Sequence, residues 1–131
     1  MNWSKALISG VAGGIAVTLY NTLMHGFIMA GAYSKVANFR ADANPAFFAV
    51  LAVLAGIVGG ILFAKTRASW SAGPKGGMAF GMWLGLIAFL AAFYMPLTQK
   101  DFPYYLTWCM GGIAFLGWVV FGAVAGALNK G

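Results

Sequence analysis

The sequence predicts an all-α integral membrane protein with four transmembrane helices in an up-down bundle. Three observations carry this expectation. Hydrophobic residues make up 62% of the 131-residue chain and charged residues 8%, where a soluble domain has roughly 45–50% and 25%. The mean hydropathy is +0.84. The charged residues divide the chain into four long uncharged stretches, Ala6–Ser34, Ala43–Ala64, Gly76–Gln99 and Phe102–Asn129, and a bilayer core needs about 20 apolar residues per helix. This composition excludes a water-soluble globular fold and a disordered chain. Residues 1–131 form a single membrane domain, with no length left over for a soluble catalytic one.

The first span is expected over about 6–32. It exceeds the 7–15 apolar residues of a signal peptide and carries Asn21 and His25, so it reads as a retained helix. The second, about 46–64, starts behind Asn44 as N-cap and Pro45, a residue suited to the first helical position. The third, about 75–96, opens at Pro74 and is expected to stop at Pro96. The fourth, about 103–128, opens at Pro103. The connections are short, which makes consecutive helices antiparallel neighbours.

Basic residues set the orientation. Lys5, Lys65, Arg67, Lys75 and Lys130 flank one side, and Lys35, Arg40 and Lys100 the other. The excess places both termini in the cytoplasm and the chain in a cell (inner) membrane. Trp3 and Trp70 mark the inner boundary. Tyr33, Tyr94, Tyr104, Tyr105 and Trp108 mark the outer one. The net charge of +6 comes from singly scattered cations, not a basic run, so the partner it suits is the lipid surface and not nucleic acid.

Small residues recur four apart in every span: Gly10 and Gly14; Ala52, Gly56, Gly60 and Ala64; Gly73, Gly77, Gly81 and Gly85; Gly122 and Gly126. Such lines let helix backbones approach closely in lipid, where apolar burial does not drive association. They predict tight packing, with faces left for other subunits or other copies. A weak internal repeat accompanies them. Gly13-Gly14-Ile15-Ala16 resembles Gly76-Gly77-Met78-Ala79, and Ala55–Leu62 resembles Phe121–Leu128. Two readings stand: a parallel duplication of two helical hairpins, or chance in a chain of low complexity.

No Asp, Glu, Lys or Arg falls inside a span, whereas proton-coupled transport usually needs an intramembrane ionisable group. The acidic residues, Asp42 and Asp101, lie in loops, and no catalytic constellation is visible. The one polar stripe, Thr18, Asn21, Thr22 and His25, continues the line of Gly10 and Gly14 and is expected to face protein. For His25 the structural reading is a neutral imidazole bonded to a neighbouring helix, with Tyr94 or Thr107 as partner. The functional reading is a ligand to haem or a chlorophyll-type pigment, or a donor to a quinone. Cys109 is alone, so no intrachain disulfide forms. The outer-loop residues Lys35, Arg40, Asp42, Lys100 and Asp101 are solvated or form a docking surface with the aromatics.

The function expected is that of a non-enzymatic accessory or assembly subunit of a larger membrane complex, with no cofactor. The alternatives are a cofactor-binding subunit centred on His25 and a small homo-oligomeric channel or carrier for an uncharged solute.

Overall fold

A computed structural model describes residues 1–37, 39 and 42–130. Arg40, counted above among the outer cations, lies outside the described residues. The protein is all-helical, with no strand among the described residues. Its elements are α1 (Trp3–Asn21), a π-helical turn (Thr22–Ile28), α2 (Ala30–Tyr33), α3 (Pro45–Lys65), a 3₁₀ turn (Arg67–Ser69), α4 (Pro74–Ala91), α5 (Tyr94–Thr98) and α6 (Tyr104–Leu128). Four helical segments, Trp3–Ile28, Pro45–Lys65, Pro74–Thr98 and Tyr104–Leu128, are long and apolar enough to cross a membrane.

The helix starts follow from local chemistry. The Asn2 side chain accepts from the Lys5 N–H at 3.1 Å, and Asn44 accepts from Ala46 at 3.0 Å. Each supplies an acceptor to one of the orphan donors of a first turn. Pro45 and Pro74 take the first helical positions of α3 and α4. Gly73, at φ 83°, turns the chain into α4 through a conformation that L side chains rarely adopt.

The third span, expected over about 75–96, corresponds to the segment Pro74–Thr98, but it is not one continuous helix and Pro96 does not end it: α4 stops at Ala91, and Pro96 sits inside the separate short helix α5. A proline cannot donate to the carbonyl four residues back, and its ring crowds that carbonyl, here Ala92. The effect reaches upstream. The amides of Phe93 and Met95 bond three residues back, to Leu90 and Ala92, in place of the α pattern.

The helices stand in the spatial order α3, α1, α6, α4, so the expectation that consecutive spans are neighbours holds for the first and second and for the third and fourth, but not for the second and third, α3 and α4, which α1 and α6 separate. α1 packs along α3 and α4 along α6, and the two pairs meet where α1 crosses α6. Both pairs are seamed by glycine. A Cβ on Gly10 would lie 2.7 Å from the Gly56 carbonyl oxygen, and one on Gly60 would lie 2.6 Å from Gly10 Cα. Gly14 meets Gly56, Val53 and the Ala52 carbonyl in the same way. In the second pair Gly126 abuts Gly73 and Gly77, Gly77 meets Gly122, Gly81 meets the Trp118 carbonyl, and Gly85 meets Phe115. Partner numbers fall as the first helix's numbers rise, so each pair is antiparallel.

Between the pairs, other glycines act as sockets. The Phe121 ring fills the space a side chain would need at Gly13 and at Gly59. Phe63, Phe80, Phe121 and Ala125 form a buried cluster with Val17, Trp70, Leu84 and Trp118 against it. The rings of Phe63 and Phe80 lie 5.1 Å apart and bridge α3 to α4.

Arg67 ties one end of the molecule. Its guanidinium donates from Nε to the Asn129 carbonyl at 2.8 Å and from one terminal nitrogen to Trp70 at 2.9 Å. The other terminal nitrogen serves Ser71 and Lys130. It also lies over the Phe63 ring, 5.1 Å from the centroid. One rigid fork of donors therefore satisfies carbonyls of the α3–α4 connection and of the end of α6.

Gly81→Leu is expected to lower stability in detergent by at least about 3 kcal/mol, because a backbone carbonyl cannot yield as a side chain can. Leu90→Ala, at a side chain 66% exposed, is expected to change little, and so is Gly112→Ala, where a Cβ meets nothing within 4 Å. Thermal unfolding of the three purified variants checks this ordering.

Candidate functional site around His25

Thr18 and Thr22 donate their hydroxyls to the carbonyls of Gly14 and Thr18, four residues back in the same helix, at 2.9 and 2.8 Å. Such back-bonding competes with the helix's own amides and bends it. Directly after it the helix opens into the π turn, where the Met29 amide reaches five residues back to Met24. π turns inside α-helices occur frequently at functional sites. His25 lies within this turn and is half-buried.

The imidazole Nδ1 is 2.5 Å from the Tyr33 hydroxyl. The two rings lie nearly parallel, at 20° with centroids 5.7 Å apart. Tyr33 in turn meets Phe39 edge-on, and Phe39 meets Phe102. An aromatic file thus runs from the π turn to the connection before α6. The Tyr33 hydroxyl's pKa is pushed up to about 12, chiefly by burial.

The expected partners of His25 are not the observed ones. Tyr94 is 69% exposed. Thr107 is buried, and its hydroxyl has no hydrogen-bond partner among the described residues. Tyr33 captures the imidazole because the π turn and α2 bring position 33 back onto position 25 within one local segment. Nor does the polar stripe act as a unit. Thr18, Asn21 and His25 are half-buried while Thr22 is exposed, and both threonine hydroxyls are spent on their own helix.

The hydrogen bond that does join α1 to α6 comes from Tyr20, whose hydroxyl donates to the Ile113 carbonyl at 3.0 Å. Its signal in the sequence is a second line on α1. Gly13, Val17 and Tyr20 are spaced four and three apart and face α6, beside the line of Gly10 and Gly14 that faces α3. Gly117 leaves room for the Tyr20 ring, which a Cβ would approach at 3.3 Å.

Chemically, the arrangement can do one specific thing. With Nδ1 fixed by Tyr33, the ring is oriented and Nε2 is left as the open nitrogen. Imidazoles that bind metals are commonly held this way from the other nitrogen. Among the described residues, no three His, Cys, Asp or Glu side chains gather into a group that could hold a metal ion.

Two outcomes test this geometry. His25→Gln is expected to keep the fold, since an amide can still meet Tyr33, while His25→Leu leaves that hydroxyl unpaired and costs about 1 kcal/mol in thermal unfolding. Tyr33 is neutral in the folded protein up to about pH 12, against an ordinary value of 10.0. Its contribution to stability is therefore fully present below pH 10 and is lost as pH rises toward 12. Tyr33→Phe is expected to flatten that alkaline loss in a stability–pH profile.

Comparison with family models, curated proteins and solved structures finds no match to the chain, so the residues themselves carry the functional reading.

Proposed function

We propose that the chain is a multi-pass membrane protein acting as a non-enzymatic accessory or assembly subunit of a larger membrane complex. One observation carries the reading: small residues turn inward and large apolar side chains outward. Phe47, Leu51, Leu54 and Val58 on α3 are 53–70% exposed, and Trp83, Ile87 and Leu90 on α4 are 65–67% exposed. Glycine seams make each hairpin stiff, and the outward faces offer ring and branched side chains to lipid or to neighbouring subunits. The partners of this reading are other membrane subunits or further copies of the chain.

The up-down topology and the duplication of two hairpins belong to the same proposal. What supports them is the correspondence of contacts. Gly10 pairs with Gly60 and Gly14 with Gly56; Gly73 pairs with Gly126 and Gly77 with Gly122. The sequence repeat relates these two sets residue by residue. On this reading the chain sits in the cell inner membrane with both termini cytoplasmic, supported by the basic residues at the Arg67 end.

A second reading is favoured by the oriented imidazole. His25 would present Nε2 to a haem, a chlorophyll-type pigment or a quinone carbonyl. The two readings separate in one preparation. The native assembly, purified in mild detergent, is expected to contain further subunits and no chromophore stoichiometric with this chain. A Soret or chlorophyll-type band lost in both His25→Gln and His25→Leu overturns the first reading in favour of the second.

Topology is tested separately. A reporter active only in the periplasm, fused after Lys130, is expected to stay silent, and the same reporter inserted in the 33–44 loop to be active.

A further inference from the structure

The end of the molecule that holds Arg67 contains a cavity of about 220 Å³, lined by Met1, Asn2, Lys5, Ala64, Arg67 and Asn129. Its polar walls all suit an anion. Lys5 brings an ammonium group, Arg67 a guanidinium, and Asn2 and Asn129 bring amides. Met1, Asn2 and Lys5 set the cavity beside the opening of α1, at the positive end of that helix's dipole.

The end of α6 would normally oppose this, since terminal carbonyls carry partial negative charge. Arg67 covers them, donating to Asn129 and Lys130. Asn129 is only 5% exposed and lines the wall, yet its side-chain amide has no hydrogen-bond partner among the described residues. Both acidic residues of the chain, Asp42 and Asp101, lie in the connections at the other end, while Lys65, Lys75 and Lys130 flank this one.

We propose that this cavity is a phosphate-binding site that takes the headgroup of an anionic lipid. It rests on the membrane reading, which puts the ends of α1, α3 and α6 at headgroup level. The Lys5 ammonium contacts the phosphate oxygens, the Asn129 amide donates to them, and Arg67 supplies positive charge while holding the wall in place. The volume is below the roughly 300–1,000 Å³ of pockets that enclose a drug-sized molecule, and suits a headgroup whose acyl chains run outside along α1 and α3.

Native mass spectrometry of the detergent-solubilised protein, titrated with phosphatidylglycerol or phosphatidylcholine, tests this. Phosphatidylglycerol is expected to be retained preferentially. Lys5→Gln is expected to cut that retention about fivefold with unchanged thermal stability, and Asn129→Leu to cut it too. Lys75→Gln, on the same rim but outside the cavity, is expected to leave it nearly unchanged. Equal retention of the two lipids, or equal loss in Lys5→Gln and Lys75→Gln, overturns the site. Displacement of the lipid by millimolar inorganic phosphate overturns the lipid assignment and gives the cavity to a soluble phosphate compound. Flotation with phosphatidylcholine vesicles separates the two levels of inference. A protein that fails to float overturns the membrane reading and this one together, and a protein that floats without a Lys5-dependent lipid preference overturns this one alone.

Discussion

Everything in this molecule depends on how closely two helix backbones can approach. A side chain of any size at Gly14, Gly56, Gly77 or Gly122 would meet main-chain atoms of the opposite helix, and main chain cannot rotate aside. Contact at that range yields dispersion over the full helix length, the main source of helix association where the surroundings are as apolar as the side chains. The outward arrangement of the large residues follows directly. If the seams are filled by hydrogen atoms, the leucines, phenylalanines and tryptophans must find other directions. Aromatic rings enter the interior where a glycine leaves them room: Gly13 and Gly59 accommodate Phe121 where the two pairs meet, and Gly85 and Gly111 take the rings of Phe115 and Phe89 between α4 and α6.

Polar groups follow a matching rule. Most hydroxyls bond within their own helix, as Ser9, Thr18, Thr22, Thr66 and Thr98 do. Two polar side chains reach far along the sequence, Tyr20 to α6 and Arg67 to the segment after α6. They lie toward opposite ends of the α1–α6 crossing and tie together what the glycine seams leave separate. The proposed phosphate site is a by-product of the second tie, because the donors that secure the end of α6 also reverse its local charge.

The helices and the seams were legible in the sequence because each depends on a single periodic property. Uncharged length gives the four long helices, and glycine four apart gives the packing faces. The features that escaped depend on departures from that period. The halt at Ala91 is caused by a proline five residues further on. The π turn adds a residue to one turn of helix, which shifts everything after Asn21 around the axis. That shift is why an extrapolated α-helical stripe gave His25 the wrong neighbours and overlooked Tyr33. Arg67 escaped for a different reason. As a flank cation it looked like its four basic companions, and only the positions of distant carbonyls distinguish it. Tyr20 was within reach, since the line of Gly13, Val17 and Tyr20 has regular helical spacing.

The Arg67 fork also orders events during synthesis. Its partners at Trp70 and Ser71 emerge from the ribosome almost with it, while Asn129 and Lys130 follow some sixty residues later. The α1–α3 pair can close as soon as α3 is made, because its seam is local, and the α4–α6 pair likewise closes on itself. Chains that fold unit by unit settle each unit before joining them. The nascent protein therefore passes through a stage in which the α1–α3 hairpin is finished and stands alone while α4 and α6 are still being made. Through that stage the Arg67 guanidinium serves only Trp70 and Ser71, and the donors destined for Asn129 and Lys130 stand open.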